Sequence, residues 1–203
     1  MSGSLVSEYA SVHKAKRYGD TGWRSLPFIL PHLLALRPQS LVDFGCGQSD
    51  LGLRLARAAR IASVHRYDPA IPEFSVRPGA FSDVLVNVDV LEHIPDEELD
   101  AAIADMASLA RHAVIVIDTA PARLKLSDGR NAHVSLHDEA GWEKRLKKSF
   151  PTIRPVAIGR KSRVGFKTFD DQLPADVHDN LVASLRRKRD VERFLQLFGL
   201  APA

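Results

Sequence analysis

The feature that most constrains the fold is a glycine-containing segment between two short apolar runs. Residues 41–50 read LVDFGCGQSD, and the next apolar run ends at Tyr67 and Asp68. An apolar run that ends in an acid and two glycines, followed by a helix and a second acid, is typical of a βαβ nucleotide-binding unit. Gly45 and Gly47 allow a sharp turn and a close approach to a ligand. Because the Asp68 carboxylate can accept hydrogen bonds from both ribose hydroxyls, we expect a nucleoside ligand.

The charge of this loop indicates which nucleoside binds. The dinucleotide fingerprint G-x-G-x-x-G needs a third glycine where this chain has Asp50. Asp43 and Asp50 bracket the loop, and two carboxylates repel a pyrophosphate but are compatible with a cationic ligand. S-adenosylmethionine carries a sulfonium and an amino group and no phosphate. The loop therefore favours S-adenosylmethionine over a nicotinamide or flavin dinucleotide.

Three motifs in order carry a family resemblance. The chain resembles the class I S-adenosylmethionine-dependent methyltransferases. Their first motif reads D/E-x-G-x-G, here Asp43, Gly45 and Gly47, and their second is an acid that ends the next strand, here Asp68. Residues 83–95 read DVLVNVDVLEHIP and are similar to the fourth-strand motif of that superfamily, commonly D-V-L-E-H-I. In the superfamily that strand ends against the adenosine and the transferable methyl group. The resemblance covers about residues 38–160.

The resemblance implies a cofactor, a fold and a set of binding residues. The cofactor is S-adenosylmethionine, and the fold is α/β, a doubly wound, mostly parallel seven-stranded sheet with N-terminal helices and a long C-terminal helix. We expect one domain over residues 1–203, with a helical lid or cap (1–37), a core (38–170) and a helical extension (171–203). The implied cofactor-binding residues are Asp43, Gly45, Cys46, Gly47, Asp68, Asp89, Val90 and Leu91.

Apolar patterning predicts the individual elements. We expect strands at residues 40–44, 62–67, 83–88 and 113–117, and an antiparallel edge formed by 153–158 and 164–169. Helices are expected at residues 5–18, 26–36, 51–60, from 96 onward, 138–149 and 176–198. Between Asp68 and Asp83 only residues 74–76 could form a strand. Pro69, Pro72 and Pro78 limit that strand, so we expect it to be short or irregular.

Composition excludes some classes and leaves a question about partners. The single Cys46 excludes an internal disulfide and a three-cysteine iron–sulfur cluster, and with it radical chemistry of the same cofactor. We find no signal-peptide pattern and no membrane-length apolar stretch, so we expect a cytoplasmic protein with no membrane partner. Residues 1–100 carry 10 Lys+Arg and 13 Asp+Glu, whereas the remainder carries 18 and 12. The basic half indicates either an anionic partner, such as RNA or a phosphorylated metabolite, or a solvated helix face.

Two histidines are predicted to be catalytic. Methyl transfer depends mainly on alignment, and a hydroxyl acceptor must also lose a proton, a task suited to histidine. His93 follows the 83–88 strand, and His133 lies in a polar loop after the 113–117 strand together with Arg130, Asn131 and His137. The alternative is structural: a helix-entry turn for His93 and hydrogen-bonded turns in the loop.

Two further functions stay open beside a small-molecule acceptor. A family that methylates the 2′-hydroxyl of small RNAs has a metal-binding pattern similar to one in this chain. The residues here are Asp89, Glu92, His93 and either His133 or His137. Because D-V-L-E-H is common in members without a metal, no metal ligand is predicted, and a metal-assisted RNA methyltransferase is an alternative. The last alternative is a cofactor-binding subunit without catalysis.

Overall fold

A six-stranded sheet forms the centre of the computed structural model, which describes residues 3–15 and 22–197. The strand order is β2-β1-β3-β4-β6-β5, with β1 to β4 parallel and β6 antiparallel to both β4 and β5. This arrangement confirms the doubly wound, mostly parallel α/β fold and its antiparallel edge. The strands are β1 (Ser40–Phe44), β2 (Ser63–Tyr67), β3 (Ser82–Val88), β4 (Ala110–Asp118), β5 (Arg154–Val156) and β6 (Arg163–Lys167).

Helices cover both faces of the sheet. They are α1 (Gly3–Ala15), α2 (Leu26–Leu36), α3 (Leu51–Ala59), α4 (Asp96–Leu109), α5 (Glu139–Leu146) and α6 (Ala175–Leu197), with short 3₁₀ turns at Gly22–Ser25, Pro72–Phe74 and Leu91–His93. Residues 16–18 of the first predicted helix and Phe198 of the last lie outside the described residues. Among the described helices, none is both long and apolar enough to cross a membrane.

Strand β4 shows why the sheet is covered on two sides. Its side chains alternate in direction, as in any strand. Ala113, Ile115 and Ile117 belong to one buried cluster, whereas Val114 and Val116 belong to another. Helices α4 and α5 complete the first cluster, and α2, α3 and α6 pack on the second. A strand that is apolar on both faces is what a doubly covered parallel sheet requires.

The seventh strand expected at residues 74–76 is absent. Phe74 instead ends the 3₁₀ turn Pro72–Phe74. The Phe74 N–H donates to the Ile71 carbonyl, and the Phe74 carbonyl accepts from the Asp68 N–H, both at 2.9 Å. These backbone groups are therefore used inside the turn and cannot pair with β2. Proline supplies no N–H for a ladder, which is why this segment folds locally.

The carboxyl ends of β1 to β4 meet at one edge of the sheet, and α1 lies over that edge. Leu5 and Tyr9 of α1 are buried against Ala70, Leu126 and Ala132. In open α/β sheets, ligands bind at this edge. The fold thus brings together the ends of four strands beneath one N-terminal helix.

Candidate cofactor and acceptor site

The glycine loop after β1 needs glycine for conformation and for space. Gly45 and Gly47 have φ values of +73° and +52°, which L side chains rarely adopt. The N–H groups of Gly45 and Cys46 both donate to the Tyr67 carbonyl, at 2.7 and 3.1 Å. A Cβ atom on Gly45 would lie 2.4 Å from a methyl group of Val90. The loop is therefore fixed to the end of β2 and packed directly on the residues after β3.

Asp43 anchors the helix that follows the loop. It is 3% exposed, and its carboxylate accepts a hydrogen bond from the Gly52 N–H at 3.0 Å in the first turn of α3. Burial raises the pKa of Asp43 to about 6, although the Gly52 hydrogen bond and the Arg66 guanidinium both oppose this rise. A negative charge at a helix N-terminus is favourable, and it fixes the position of the loop relative to α3.

Asp68 holds the same loop from the end of β2. Its two carboxylate oxygens accept one hydrogen bond each at 2.9 Å, from the N–H groups of Gly47 and Ala70. Each oxygen of an ionised carboxylate has a second lone pair, so Asp68 keeps acceptor capacity toward a ligand. The residue predicted to bind the ribose is therefore oriented by the loop that it supports.

Two adjoining cavities open around these residues. The first, of about 70 Å³, lies between α1 and the glycine loop, and we call it the loop cavity. The second, of about 550 Å³, we call the histidine cavity. Gly45, Asp89 and His93 line both. The loop cavity is also lined by Val6, Tyr9, His13, Gly47, Asp68, Ala70 and Val90, and the histidine cavity by Asp43, Cys46, Asp118, His133, Arg160 and Arg163. Leu91 is fully buried in the core, and neither cavity includes it.

Asp89 is held in an unusual backbone conformation after β3. Its φ is +57°, a left-handed conformation that aspartate tolerates better than most residues. One carboxylate oxygen pairs with the Arg163 guanidinium, and the other is buried without a hydrogen-bond partner in the described part of the chain. Burial raises the pKa of Asp89. Such backbone strain is often found at functional sites, and here it directs a carboxylate to the junction of the two cavities.

Asp118 and Arg163 extend this charged group, and neither was among the predicted site residues. The pairing of β4 with β6 places them opposite each other, with the Arg163 Nε 3.7 Å from an Asp118 oxygen. The sequence carried one usable signal, because Asp118 follows an apolar strand just as Asp68 and Asp89 do. Arg163 could not be assigned from the sequence, since its role depends on the antiparallel register.

The structure brings the two predicted histidines together. The ring centroids of His93 and His133 are 4.7 Å apart. The Nδ1 of His93 lies 2.9 Å from the Ala132 carbonyl, and the Nδ1 of His133 contacts the Ala120 carbonyl. A carbonyl only accepts, so each Nδ1 carries the proton and each Nε2 carries the lone pair. Burial, reinforced by the neighbouring His133, lowers the pKa of His93 to about 4, which keeps this imidazole neutral at neutral pH.

Tyr9 connects helix α1 to this pair. Its hydroxyl lies 2.8 Å from the Nδ1 of His93 and donates to the Ala132 carbonyl at 3.1 Å. The Gln48 side-chain amide also donates to the His13 carbonyl, at 3.2 Å, so α1 is tied to the glycine loop as well. Sequence analysis placed Tyr9 on the first helix but gave no sign of this contact, which joins residues 84 positions apart.

Glu92 lies beneath the histidines and has an unused oxygen. It is fully buried, one carboxylate oxygen accepts from the Asp118 N–H at 3.1 Å, and the other has no hydrogen-bond partner in the part of the chain that the structure describes. Burial, and then the charge of Asp89, raise the pKa of Glu92. Ligand atoms of Glu92, His93 and His133 lie within 4.8 Å of one another, close enough to hold a metal ion.

The other polar residues of the 126–137 loop have structural partners. His137 pairs with Asp96 at 2.7 Å, and Arg130 pairs with Asp128 at 2.6 Å. The Asn131 side chain bonds both backbone groups of Ala122. The structure therefore groups His133, rather than His137, with Glu92 and His93 at the cavity.

Comparison with known proteins identifies the class of fold. Neither a protein-family model nor a curated protein sequence matches the chain. Among solved structures, an O-methyltransferase family protein of Burkholderia thailandensis has a TM-score of 0.56 at 13% identity, and the match covers 72% of this chain but 55% of that one. The chain thus spans little more than half of that protein. The similarity shows the class I methyltransferase fold, as the sequence resemblance predicted.

Two further neighbours match over most of their own length. A 1,6-didemethyltoxoflavin-N1-methyltransferase of B. thailandensis, with bound 1,6-didemethyltoxoflavin and S-adenosylhomocysteine, has a TM-score of 0.56 at 16% identity, covering 82% of this chain and 88% of that one. The methyltransferase domain of bacterial CtHen1 has a TM-score of 0.55 at 12% identity, covering 73% and 97%. The toxoflavin methyltransferase was crystallised with S-adenosylhomocysteine, the demethylated form of the cofactor that the sequence predicts.

Proposed function

We propose that this chain is an S-adenosylmethionine-dependent methyltransferase that methylates an oxygen or nitrogen atom of a small molecule. The observation that carries the proposal is the junction of the two cavities at the carboxyl edge of the sheet. There, a loop with two left-handed glycines and the acceptor oxygens of Asp68 adjoin a larger space lined by His93 and His133. The loop cavity adjoins the Asp68 carboxylate, to which we assign the ribose, and the larger histidine cavity has room for further parts of the cofactor and for an acceptor.

The carboxylates support a cationic cofactor in this proposal. Asp68 would hold the ribose through the lone pairs that its backbone partners leave unused. Asp89 and Asp118 line the histidine cavity beside Arg163, and the Asp89 oxygen that has no partner among the described residues would accept from the amino group of the cofactor. When bound, S-adenosylmethionine supplies an electrophilic methyl group. The same carboxylates disfavour a pyrophosphate, so the proposal excludes a dinucleotide.

His133 is the residue to which we assign the acceptor's proton. Its ring is oriented by the Ala120 carbonyl, which keeps the lone pair on Nε2. Because burial lowers the pKa of His93 to about 4, we assign to His93 the positioning of His133 through their edge-to-face contact. A base within hydrogen-bond reach of a hydroxyl is needed only for oxygen acceptors.

The small-molecule acceptor can be tested by following the methyl group. The protein is incubated with S-adenosylmethionine labelled in its methyl group and a cell extract, which is then separated into small-molecule, RNA and protein fractions. We expect label in the small-molecule fraction. Label confined to RNA would favour the alternative acceptor, and no transfer at all would favour a subunit without catalysis.

Cofactor binding is tested separately by calorimetry with S-adenosylhomocysteine. Asp68→Ala removes the ribose acceptor, a loss of about 1.5–3 kcal/mol for hydrogen bonds that involve a charged group. Asp50→Ala is the matched control, because Asp50 flanks the same loop but pairs with Arg54 at the surface. Equal affinities for the two variants would contradict the assignment of Asp68.

A metal-assisted RNA methyltransferase is a second candidate, and the cluster of Glu92, His93 and His133 favours it. Two imidazoles and a buried carboxylate with an unused oxygen are a suitable donor set for a divalent cation. A bound ion would supply a Lewis acid beside the acceptor oxygen. The test is titration with Co²⁺, whose visible absorption reports its ligands. Loss of that spectrum in His133→Ala would support the site, and no spectrum in the wild-type protein would exclude it.

A further inference from the structure

A small cavity lined by arginines lies next to the histidine cavity. We call it the arginine pocket; its volume is about 140 Å³, and it is lined by Arg24, Arg160, Arg186 and Arg189, together with Trp23, Phe28 and Gly159. These arginines come from the 3₁₀ turn before α2, the loop before β6 and helix α6. Arg160 lines both this pocket and the histidine cavity, so the two spaces are adjacent.

Most of the positive charge in the arginine pocket is not neutralised. Arg189 pairs with Asp190 at 2.7 Å and donates to the Arg24 carbonyl at 3.2 Å. For Arg24, Arg160 and Arg186, the described residues provide no acidic partner within ion-pair distance. The Nε of Arg24 is buried and has no acceptor among the described residues. Three guanidinium groups therefore line one small space without an ion-pair partner among the described residues, and those of Arg160 and Arg186 belong to exposed side chains.

Aromatic rings hold two of these guanidinium groups. The guanidinium carbon of Arg186 lies 6.0 Å from the ring of Phe28, and that of Arg24 lies 5.9 Å from the ring of Trp23. Such contacts are worth about 0.5–1 kcal/mol at exposed sites and restrict where an arginine can point. A Cβ on Gly159, whose φ is +65°, would lie 2.9 Å from the Phe28 ring, so close packing also fixes the loop that carries Arg160.

The mutual repulsion of these charges is visible in Arg160. Partial burial lowers the pKa of this guanidinium, and the nearby Arg163 and Arg24 lower it further, although the charge of Asp89 opposes the shift. Like charges that are held together cost free energy unless a ligand of opposite sign joins them. Arginine suits this purpose, because its planar group binds phosphate or carboxylate oxygens in a bidentate manner.

We propose that the arginine pocket binds an anionic group, best a phosphate monoester, of the small molecule that is methylated. The proposal rests on the proposed function and specifies its acceptor. Three unneutralised guanidinium groups match a dianion better than a single carboxylate. With its phosphate in the arginine pocket, the acceptor extends past Arg160 into the histidine cavity, where its oxygen or nitrogen lies beside His133. The anion thus sets the orientation of the acceptor before methyl transfer.

The shape of the pocket favours a small phosphorylated molecule over RNA. A nucleic acid is usually bound along an extended basic surface that contacts several phosphates. The arginine pocket is instead a single concave space that Trp23 and Phe28 also line. It has room for one phosphate group, and the neighbouring Arg187 does not line it.

The experiment titrates inorganic phosphate into the full chain by calorimetry, with S-adenosylhomocysteine titrated into the same samples. We expect Arg24→Gln and Arg186→Gln to weaken phosphate binding by about ten- to a hundredfold each, since each removes charge-assisted hydrogen bonds. Arg187→Gln is the matched control on α6 and should bind phosphate as the wild type does. Unchanged affinity for S-adenosylhomocysteine shows that each variant is folded.

The outcomes separate this inference from the proposed function. Two results would overturn the proposal that the arginine pocket binds phosphate and would leave the methyltransferase proposal standing. One is a wild-type protein that binds S-adenosylhomocysteine but not phosphate. The other is phosphate binding by Arg24→Gln and Arg186→Gln that is as tight as that of Arg187→Gln. If S-adenosylhomocysteine does not bind, the proposed function fails. Short single-stranded RNA serves as the competing probe. Tight, steeply salt-dependent RNA binding that falls equally in all three variants would show a general basic surface and also overturn the pocket.

Discussion

Replacing Asp43 by asparagine should change the way in which stability depends on pH. The carboxyl group of Asp43 is 3% exposed, and its pKa is raised from 3.8 to about 6 in the folded chain. The folded state therefore holds this proton more tightly than the unfolded state. The contribution to stability is fully present below pH 3.8 and is lost as the pH rises through about 6. At about 1.4 kcal/mol for each pH unit, the loss amounts to about 3 kcal/mol.

Asp43→Asn keeps an oxygen that can accept from Gly52 but cannot ionise. The variant should therefore gain about 3 kcal/mol relative to the wild type between about pH 4 and about pH 7. The measurement is urea denaturation of both proteins across this range. An unpaired amide nitrogen would add a constant offset and would not alter the pH dependence.

The control for this experiment is an aspartate with the opposite shift. A hydrogen bond from Lys148 lowers the pKa of Asp100 at the surface, so its contribution is present at neutral pH and is lost as the pH falls. Asp100→Asn should thus lose stability relative to the wild type as the pH rises, by a small amount because the pair is exposed. A difference between Asp43→Asn and the wild type that does not vary with pH would refute the argument from burial.

Three further changes test the site and the core. Gly45→Ala should abolish S-adenosylhomocysteine binding in calorimetry, because residue 45 has φ +73° and a Val90 methyl group would lie 2.4 Å from the new Cβ. In the control Gly79→Ala the new Cβ meets nothing within 4 Å, so this variant should bind normally. His133→Ala should lower turnover by about 10²–10⁴-fold while cofactor affinity is kept, and full activity would make this histidine structural. Asp171→Asn should cost about 3–5 kcal/mol in urea denaturation because it leaves a buried lysine unpaired. The neighbouring Asp170→Asn breaks only a surface pair and should cost about 1 kcal/mol or less; equal losses would contradict the reasoning.

Local pattern was sufficient to predict most of the sheet. The strand Ser40–Phe44 and the helix Leu26–Leu36 have the predicted bounds, because an apolar run bounded by turn residues carries its own limits. The proximity of His93 and His133 was also expected, since parallel strands end at the same edge. Their catalytic role stays a prediction.

Contacts that depend on long-range register could not be predicted. Arg163 reaches Asp89 only because β6 runs antiparallel to β4, and no local signal marks that pairing. Tyr9 reaches His93 because α1 lies across the sheet edge. The arginine pocket has the same origin, since its arginines come from three separate segments. Sequence analysis noted the basic second half of the chain but could not tell which arginines line one space.

The position of α1 has a consequence for how ligands exchange during turnover. Val6, Tyr9 and His13 of α1 line the loop cavity, whereas none of them lines the histidine cavity. A nucleoside in the loop cavity would therefore lie against α1, while an acceptor in the histidine cavity would not. We expect the exchange of the cofactor and of its demethylated product, but not that of the acceptor, to depend on how firmly α1 is held to the sheet edge.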